Sequence, residues 1–427
     1  MAEGTGDRIA IVGGARSPFT KSWTTLNDVD PVELSTQVAR ELIFRLDLKP
    51  DWIDHFVWGT VVAVPRSPNI AREVAMNLGM YTTPGFSVTR ACATGFQSVA
   101  TAAEMIGSGH AEIVVAGGVD VISHAPVTYR KSVVDTLQKA QKAKGAALLK
   151  ILAGFNPLHL LPQPPALTER YTGLTMGQHA ELMAQNFDIA REDQDAFSIA
   201  SHEKAAAAID AGHIERDIVP IRTPKGLVTE DNLIRRSMDP AKIAKLRPVF
   251  DKKNGTITAA SSSPLTDGAA AVVVMKESKA RELGLTPLGY VRSWDFPALD
   301  PRENMLLGNV YSIPGALDRA GVTLADMDLI DIHEAFAAQV LSNVKLMDDA
   351  AFMSRALGRS SALGAVDPDK LNVWGGSIAY GHPFAATGGR MITMVLRALK
   401  ERDGELAVAS ACAAGGLGVA MVLERAA

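Results

Sequence analysis

Apolar positions in the first 118 residues change their period in a regular way. Residues 9–12 form a continuous apolar run, the pattern of a strand covered on both faces. Between 31 and 46, Val32, Ala39, Leu42, Ile43 and Leu46 recur at helical spacing, with Ser35 and Thr36 on the same stripe, and this predicts a helix. A strand over 56–62, a helix over 70–78, a strand over 85–89, a small-residue helix over 96–106 and a strand over 112–116 complete the series, which closes on Gly117-Gly118. Strands alternating with helices predict βαβ units and a mainly parallel sheet.

The same order returns beyond Pro287: strand 289–294, helix 313–320, strand 329–332, helix 334–347, strand 371–374, helix 386–401 and strand 406–410, closing on Gly415-Gly416. Both copies end in Ala-Gly-Gly, so a duplicated α/β fold is expected. In the second copy the closing strand, 417–423, follows its glycines at once. In the first copy the comparable strand, 269–275, is separated from its glycines by far more chain than a loop needs. The expected organisation is therefore one half at 1–118 plus 268–286, an inserted loop domain at 119–267, and a second half at 287–427. Within the insertion, 131–150 is a lysine-rich helical stretch, 151–161 is apolar and broken by Gly154 and Pro157, and Pro162-Gln-Pro-Pro165 forces extended chain. A basic helix beside an apolar segment suits a membrane surface or a partner subunit, and suits equally a solvated helix packed by its alanines.

Composition narrows the function classes. The 427 residues, 47% apolar and 21% charged, describe a globular chain with enough core for two packed units. With 43 basic and 47 acidic side chains the net charge is -4, so the chain as a whole has no electrostatic reason to seek nucleic acid or an anionic membrane. An anionic ligand must instead meet a local basic patch. The first residues lack the apolar core of a signal peptide, and no window reaches the roughly 20 apolar residues of a membrane span, so a cytoplasmic location is expected. Two cysteines are too few for a disulfide framework or a cysteine-rich zinc site.

Both cysteines occupy marked positions. Cys92 lies where a strand runs into a helix, flanked by Ala91, Ala93 and Gly95, which leave a substrate room to approach. A helix start is expected to favour its thiolate and to offer N–H groups to an oxyanion. A buried free cysteine is otherwise a small hydrophobe. Residues 375–388 form a glycine-dense loop that holds His382 between Gly381 and Pro383, a fixed perch for a general base to a cysteine, or alternatively a cradle for phosphate. Cys412 precedes the glycine turn of the second copy, so both cysteines fall at the corresponding end of the two halves, where open α/β sheets bind ligands. His333 and Glu334 follow a predicted strand. Each has a plain reading too, His333 as a hydrogen-bonded core residue and Glu334 as a first-turn helix acid. No second histidine completes an HExxH zinc pattern.

Taken in order, Ser87-Val-Thr-Arg-Ala-Cys92-Ala-Thr-Gly95, Gly375 to Gly388 and Cys412-Ala-Ala-Gly-Gly-Leu-Gly418 resemble the three motifs of the thiolase family, and the resemblance spans essentially the whole chain. His333-Glu-Ala-Phe336, where most thiolases have asparagine first, is similar to the branch containing β subunits of fatty-acid oxidation complexes. The segments around Arg72-Glu73, 246–250 and 264–271 point the same way. The resemblance implies the thiolase five-layered αβαβα fold and acetyl-CoA C-acyltransferase activity. It makes Cys92 the nucleophile, His382 its base and Cys412 the proton donor to the departing carbanion. His333, through a water, would assist His382 at the enolate, and the N–H groups of Cys92 and Ala414 would hold the tetrahedral oxyanion. Coenzyme A enters as a substrate, with no cofactor and no metal. Arg235 is implied as a phosphate contact, Ser263 as a pantetheine contact, and Met176 as part of the substrate-binding surface. Ala414 stands where many thiolases have glycine, Thr175 where short-chain enzymes often have histidine, and Ser261 where asparagine is common. The expected partners are acyl-CoA and CoA, a homodimeric or tetrameric assembly, and a hydratase/dehydrogenase α subunit, with peripheral membrane contact through 131–161. A biosynthetic acetoacetyl-CoA thiolase, a decarboxylating ketosynthase and a non-catalytic acyl-CoA-binding subunit are the alternatives. Cys412 argues against the ketosynthase, because decarboxylation generates a carbanion without an acid/base thiol.

Overall fold

The computed structural model describes residues 7–161 and 168–426. Its strands are β1 (Ile9–Arg16), β2 (Thr20–Lys21), β3 (His55–Gly59), β4 (Gly85–Val88), β5 (Ile113–Val121), β6 (Ile221–Thr223), β7 (Gly226–Val228), β8 (Thr266–Lys276), β9 (Gly289–Asp295), β10 (Leu329–Ile332), β11 (Leu406–Ala413) and β12 (Leu417–Arg425). The main sheet runs β10-β11-β12-β9-β1-β8-β5-β3-β4, with β2 against β8, while β6 and β7 form a separate hairpin. β1 pairs with β8 along its length but with β9 only over Ile9 to Ile11, so a narrow seam joins the two half-sheets.

The sheet is mixed, where the sequence pattern predicted mainly parallel pairing. β3 is parallel to β4 and β5, and β10 to β11, but β8 lies antiparallel beside β5 and β12 antiparallel beside β11. The turn at 414–416 is the reason in the second half: so short a connection can only reverse direction, since a parallel neighbour needs a crossover of a dozen residues or more.

Helices complete five layers. Helix Pro31–Arg45, capped by the Asp30 carboxylate, packs its Leu34, Val38 and Leu42 stripe against Val273 and Met275 of β8 on one outer face. Helix Gly308–Ala320 covers the opposite outer face above β9, β11 and β12, with Ala337–Met347 packed beside it in the same cluster. Between the half-sheets lie Thr94–Gly107 and Thr387–Glu401, whose Phe96, Val99, Met391 and Val395 fill one central cluster. Because sheet covers both sides of Thr387–Glu401, even its Arg390 and Thr393 are buried.

Several expected boundaries move for local reasons. Gly117 and Gly118 lie inside β5 instead of ending it, so the shared Ala-Gly-Gly is not structurally equivalent. A Cβ on Gly117 would sit 2.6 Å from both the Ala270 carbonyl and the Trp58 ring, and one on Gly118 would sit 2.2 Å from the Ala385 carbonyl. The strand expected at 56–62 stops at Gly59, because the N–H groups of Val61 and Val62 turn to the Asp120 carboxylate. No strand forms at 371–374. Leu371 makes one bridge to Ile330, and Asn372, at φ 46°, turns the chain while its amide brackets the N–H and C=O of Ile332. The helix expected from 334 starts at Ala337, since Phe336 is extended. The lysine-rich stretch is two helices, Lys131–Lys142 and Ala146–Ala153, broken where Gly145 adopts φ 54°. Residues 162–165 lie outside the described residues.

Candidate active site

Cys92 sits just before helix Thr94–Gly107, in a turn that its neighbours tie tightly. Ala91 holds φ 46°, while Thr94 Oγ1 accepts from the Arg90 N–H (2.7 Å) and donates to the Ala91 carbonyl (2.6 Å). On the other side, Gly381 at φ 89° presents His382, whose N–H donates to Thr266 Oγ1 (3.1 Å). Two glycines bring these segments together. A Cβ on Gly95 would lie 2.6 Å from the Ala385 carbonyl, and one on Gly388 2.4 Å from the Phe96 nitrogen, so the starts of the two central helices meet backbone to backbone.

The convergence that results is the centre of the site. The sulfur of Cys92 and a ring nitrogen from each of His333 and His382 all lie within 4.8 Å of one another. The two imidazoles have centroids 4.1 Å apart. His382 Nδ1 is 2.7 Å from Thr387 Oγ1 and His333 Nδ1 is 2.8 Å from Ser377 Oγ, which leaves both Nε2 atoms buried without a partner among the described residues. Such atoms are rare in folded proteins and mark a place where a ligand completes the hydrogen bonding. The trio could also clasp a soft cation, which would then occupy the sulfur lone pair that an attack requires.

The electrostatics revise one expectation. Burial pushes the Cys92 thiol up to about 11, against the pull of the Ala414 and Cys92 N–H groups that reach its sulfur. The helix start does not ionise it: burial outweighs the N–H groups that reach the sulfur, while Ala93 and Thr94 donate instead to the Arg90 and Ala91 carbonyls, both at 3.0 Å. Burial, and then the charge of Arg390, hold His382 down at about 3, so it is a neutral imidazole able to accept a proton. His333 is likewise held well below the ordinary histidine range by burial and by His382 and Arg390. Cys412 is buried at the end of β11, and burial followed by the proximity of Cys92 keeps it a protonated thiol.

Glu334 is not a first-turn helix acid. It is fully buried, three residues before the helix, and accepts from Ser201 Oγ (2.7 Å), Asn372 Nδ2 (2.7 Å) and the Ile378 N–H (3.1 Å). Gly376 faces it, and a Cβ there would lie 2.2 Å from the carboxyl carbon. The remaining expected residues take different places. The Ser263 N–H donates to the Ala335 carbonyl (3.0 Å), which sets it beside His333 and Glu334. Met176 is partly buried against the apolar cluster that contains Cys412. Arg235 is exposed, held through its N–H to His202 Nδ1 (3.1 Å), and is not brought to the cysteines by any contact among the described residues.

Four contributors escaped the sequence reading. Ser377 and Thr387 lie inside the glycine loop and could have been noticed as its only aliphatic hydroxyls. Arg390 and Asp120 gave no signal, since their partners are distant in sequence. Asp120 gathers the N–H groups of Val61, Val62 and Ala385 on one carboxylate, which burial raises to about 7 despite those bonds.

Residues 9–278 match the family model described as thiolase, N-terminal domain, and residues 285–425 the one described as thiolase, C-terminal domain. Proteins named 3-ketoacyl-CoA thiolase from Yersinia enterocolitica and Cronobacter sakazakii are each 51% identical over 423 residues, covering 98% of this chain and 97% of theirs. Human mitochondrial 3-ketoacyl-CoA thiolase, also solved in complex with CoA, superposes with a TM-score of 0.84 at 30% identity, covering 99% of this chain and 98–99% of those chains. Acetyl-CoA acetyltransferase of Bacillus anthracis gives 0.82 at 30% identity, covering 98% of this chain and 99% of that one. With both halves matched and the fold shared throughout, the chain belongs to the thiolase family.

Proposed function

We propose that this enzyme cleaves 3-ketoacyl-CoA with free CoA, giving acetyl-CoA and an acyl-CoA two carbons shorter, as in fatty-acid β-oxidation. The observation that carries the reading is the meeting of Cys92 with His333 and His382, each of which also keeps a buried Nε2 without a partner among the described residues. His382 takes the Cys92 proton as the sulfur attacks the keto carbon, because a thiol near 11 needs a base at neutral pH. The N–H groups of Cys92 and Ala414, already aimed at the sulfur, receive the tetrahedral oxyanion. The C2–C3 bond then breaks, its electron pair forming the enolate of acetyl-CoA, whose oxygen faces His382 and His333, and Cys412 protonates its carbon. CoA thiol finally takes the acyl group from Cys92.

CoA is a substrate in this scheme, with Arg235, Ser263 and Met176 as its proposed contacts. We assign the halves to 1–118 plus 268–286 and to 287–427, with 119–267 as the inserted loop domain. A homodimer or tetramer in the cytoplasm, joined by a hydratase/dehydrogenase α subunit, is the proposed setting. Support for a partner or membrane contact through 131–161 comes from Leu137, Leu149, Leu152 and Leu158, all exposed beside Lys131, Lys139, Lys142 and Lys150.

Purified protein should consume 3-ketoacyl-CoA only when CoA is added, seen as loss of the ketoacyl enolate absorbance across a C4 to C16 series. Absence of cleavage at every length would sink the proposal. Cys412→Ala should still exchange acyl groups between acyl-CoA and labelled CoA yet lose cleavage, whereas Cys92→Ala should lose both. Full activity in either variant overturns its assigned role.

A further inference from the structure

Resting on the thiolase reading, we infer that Arg390 and Ser377 form a positioning relay that locks His333 as the Nε2–H tautomer, so that its ring N–H points directly at the substrate enolate oxygen. Arg390 is fully buried in helix Thr387–Glu401, and its Nη2 donates to Ser377 Oγ at 3.1 Å. Ser377, itself fully buried, stands 2.8 Å from His333 Nδ1 on its other side. A guanidinium can only donate, so Ser377 presents a lone pair to Arg390 and its hydrogen is turned away from that cation. Among the described residues the acceptor on that far side is His333 Nδ1. A hydroxyl that donates to Nδ1 leaves the proton of a neutral imidazole on Nε2.

The Nε2 atom finds no partner among the described residues, and His333 lies in one group with Cys92 and His382. It is therefore a fixed donor awaiting an acceptor. His382 is arranged differently. Its Nδ1 faces Thr387 Oγ1 at 2.7 Å, and among the described residues no cation holds that oxygen, so the hydroxyl can turn as His382 takes and returns the Cys92 proton. One imidazole is switchable and the other is held. A direct donor on His333 also replaces the water that the family resemblance placed between His333 and the enolate. Ser377 and Arg390 touch no reacting atom and act only through His333.

Nuclear magnetic resonance of 15N-histidine-labelled enzyme reads the tautomer, with the His333 signals identified by their loss in His333→Asn. The resting enzyme should show a protonated Nε2 and an unprotonated Nδ1 for His333, and the opposite pattern would overturn the relay. Ser377→Ala should lower kcat for 3-ketoacyl-CoA cleavage about tenfold or more, short of the ~10²–10³-fold lost when an oxyanion donor is removed outright. Exchange of acyl groups between acyl-CoA and labelled CoA, which forms no enolate, should fall by less than about twofold. Ser377→Thr, which keeps the hydroxyl, should recover cleavage. Equal losses in cleavage and exchange, or unchanged cleavage, would refute a positioning role. If the native enzyme neither cleaves nor exchanges, the thiolase reading fails by itself, and the tautomer signal still decides whether Ser377 sets the proton on His333.

Discussion

At the scale of single residues, burial keeps the groups of the candidate site neutral in the free chain. Cys92 at about 11 and His382 at about 3 cannot form a stable thiolate–imidazolium pair in the free enzyme, because burial disfavours both charges together. The sign of the pH dependence follows. A thiol raised above its usual value gains thiolate only as pH rises through the raised value, so alkylation of the free enzyme by iodoacetamide should keep accelerating above pH about 8.5, where an unperturbed cysteine levels off. A rate that levels off below about pH 8 would show a pre-ionised Cys92. Cys92, His382 and Cys412 were legible in the sequence because each is a rare residue within three positions of a glycine. The level of the Cys92 thiol was not, because it is set by burial, which exists only once the chain around it has folded.

Among the secondary-structure elements, the decisive contact is the crossing of the Thr94–Gly107 and Thr387–Glu401 helix starts at Gly95 and Gly388. Gly388→Ala would set a methyl 2.4 Å from the Phe96 nitrogen, where only backbone can yield. Overpacking of this kind costs about 1–3 kcal/mol. It should therefore lower the melting temperature and, by parting Cys92 from His382, cut cleavage and acyl exchange alike. Unchanged melting and activity would mean the helices do not need this approach. The helical periods at 31–46 and 386–401 were readable because one or both faces are apolar. The strand expected at 371–374 failed because Asn372 spends its amide on Ile332 and Glu334, a demand set from 40 residues away.

For the whole molecule, three apolar clusters fix the layers, while the Lys131–Lys142 and Ala146–Ala153 helices stand apart with little burial of their own. Leu149 is 69% exposed and Leu152 52%, more than a face packed on its own domain would leave open. Leu149→Glu with Leu152→Glu should leave cleavage intact while abolishing co-sedimentation with anionic vesicles and capture of an α subunit. Retention of both would show that this surface contacts neither. Among the described residues no helix is long and apolar enough to cross a membrane. What the sequence determined by itself was local: the alternation of strands and helices, the two cysteines and the loop that presents His382, because periodicity and glycine placement act within a few residues. The tertiary structure alone decided the antiparallel partner of β5, the burial of Glu334 and the line from Arg390 through Ser377 to His333. Each of these joins groups tens to hundreds of residues apart, and hydrogen-bond geometry between them exists only once the half-sheets close on the central helices.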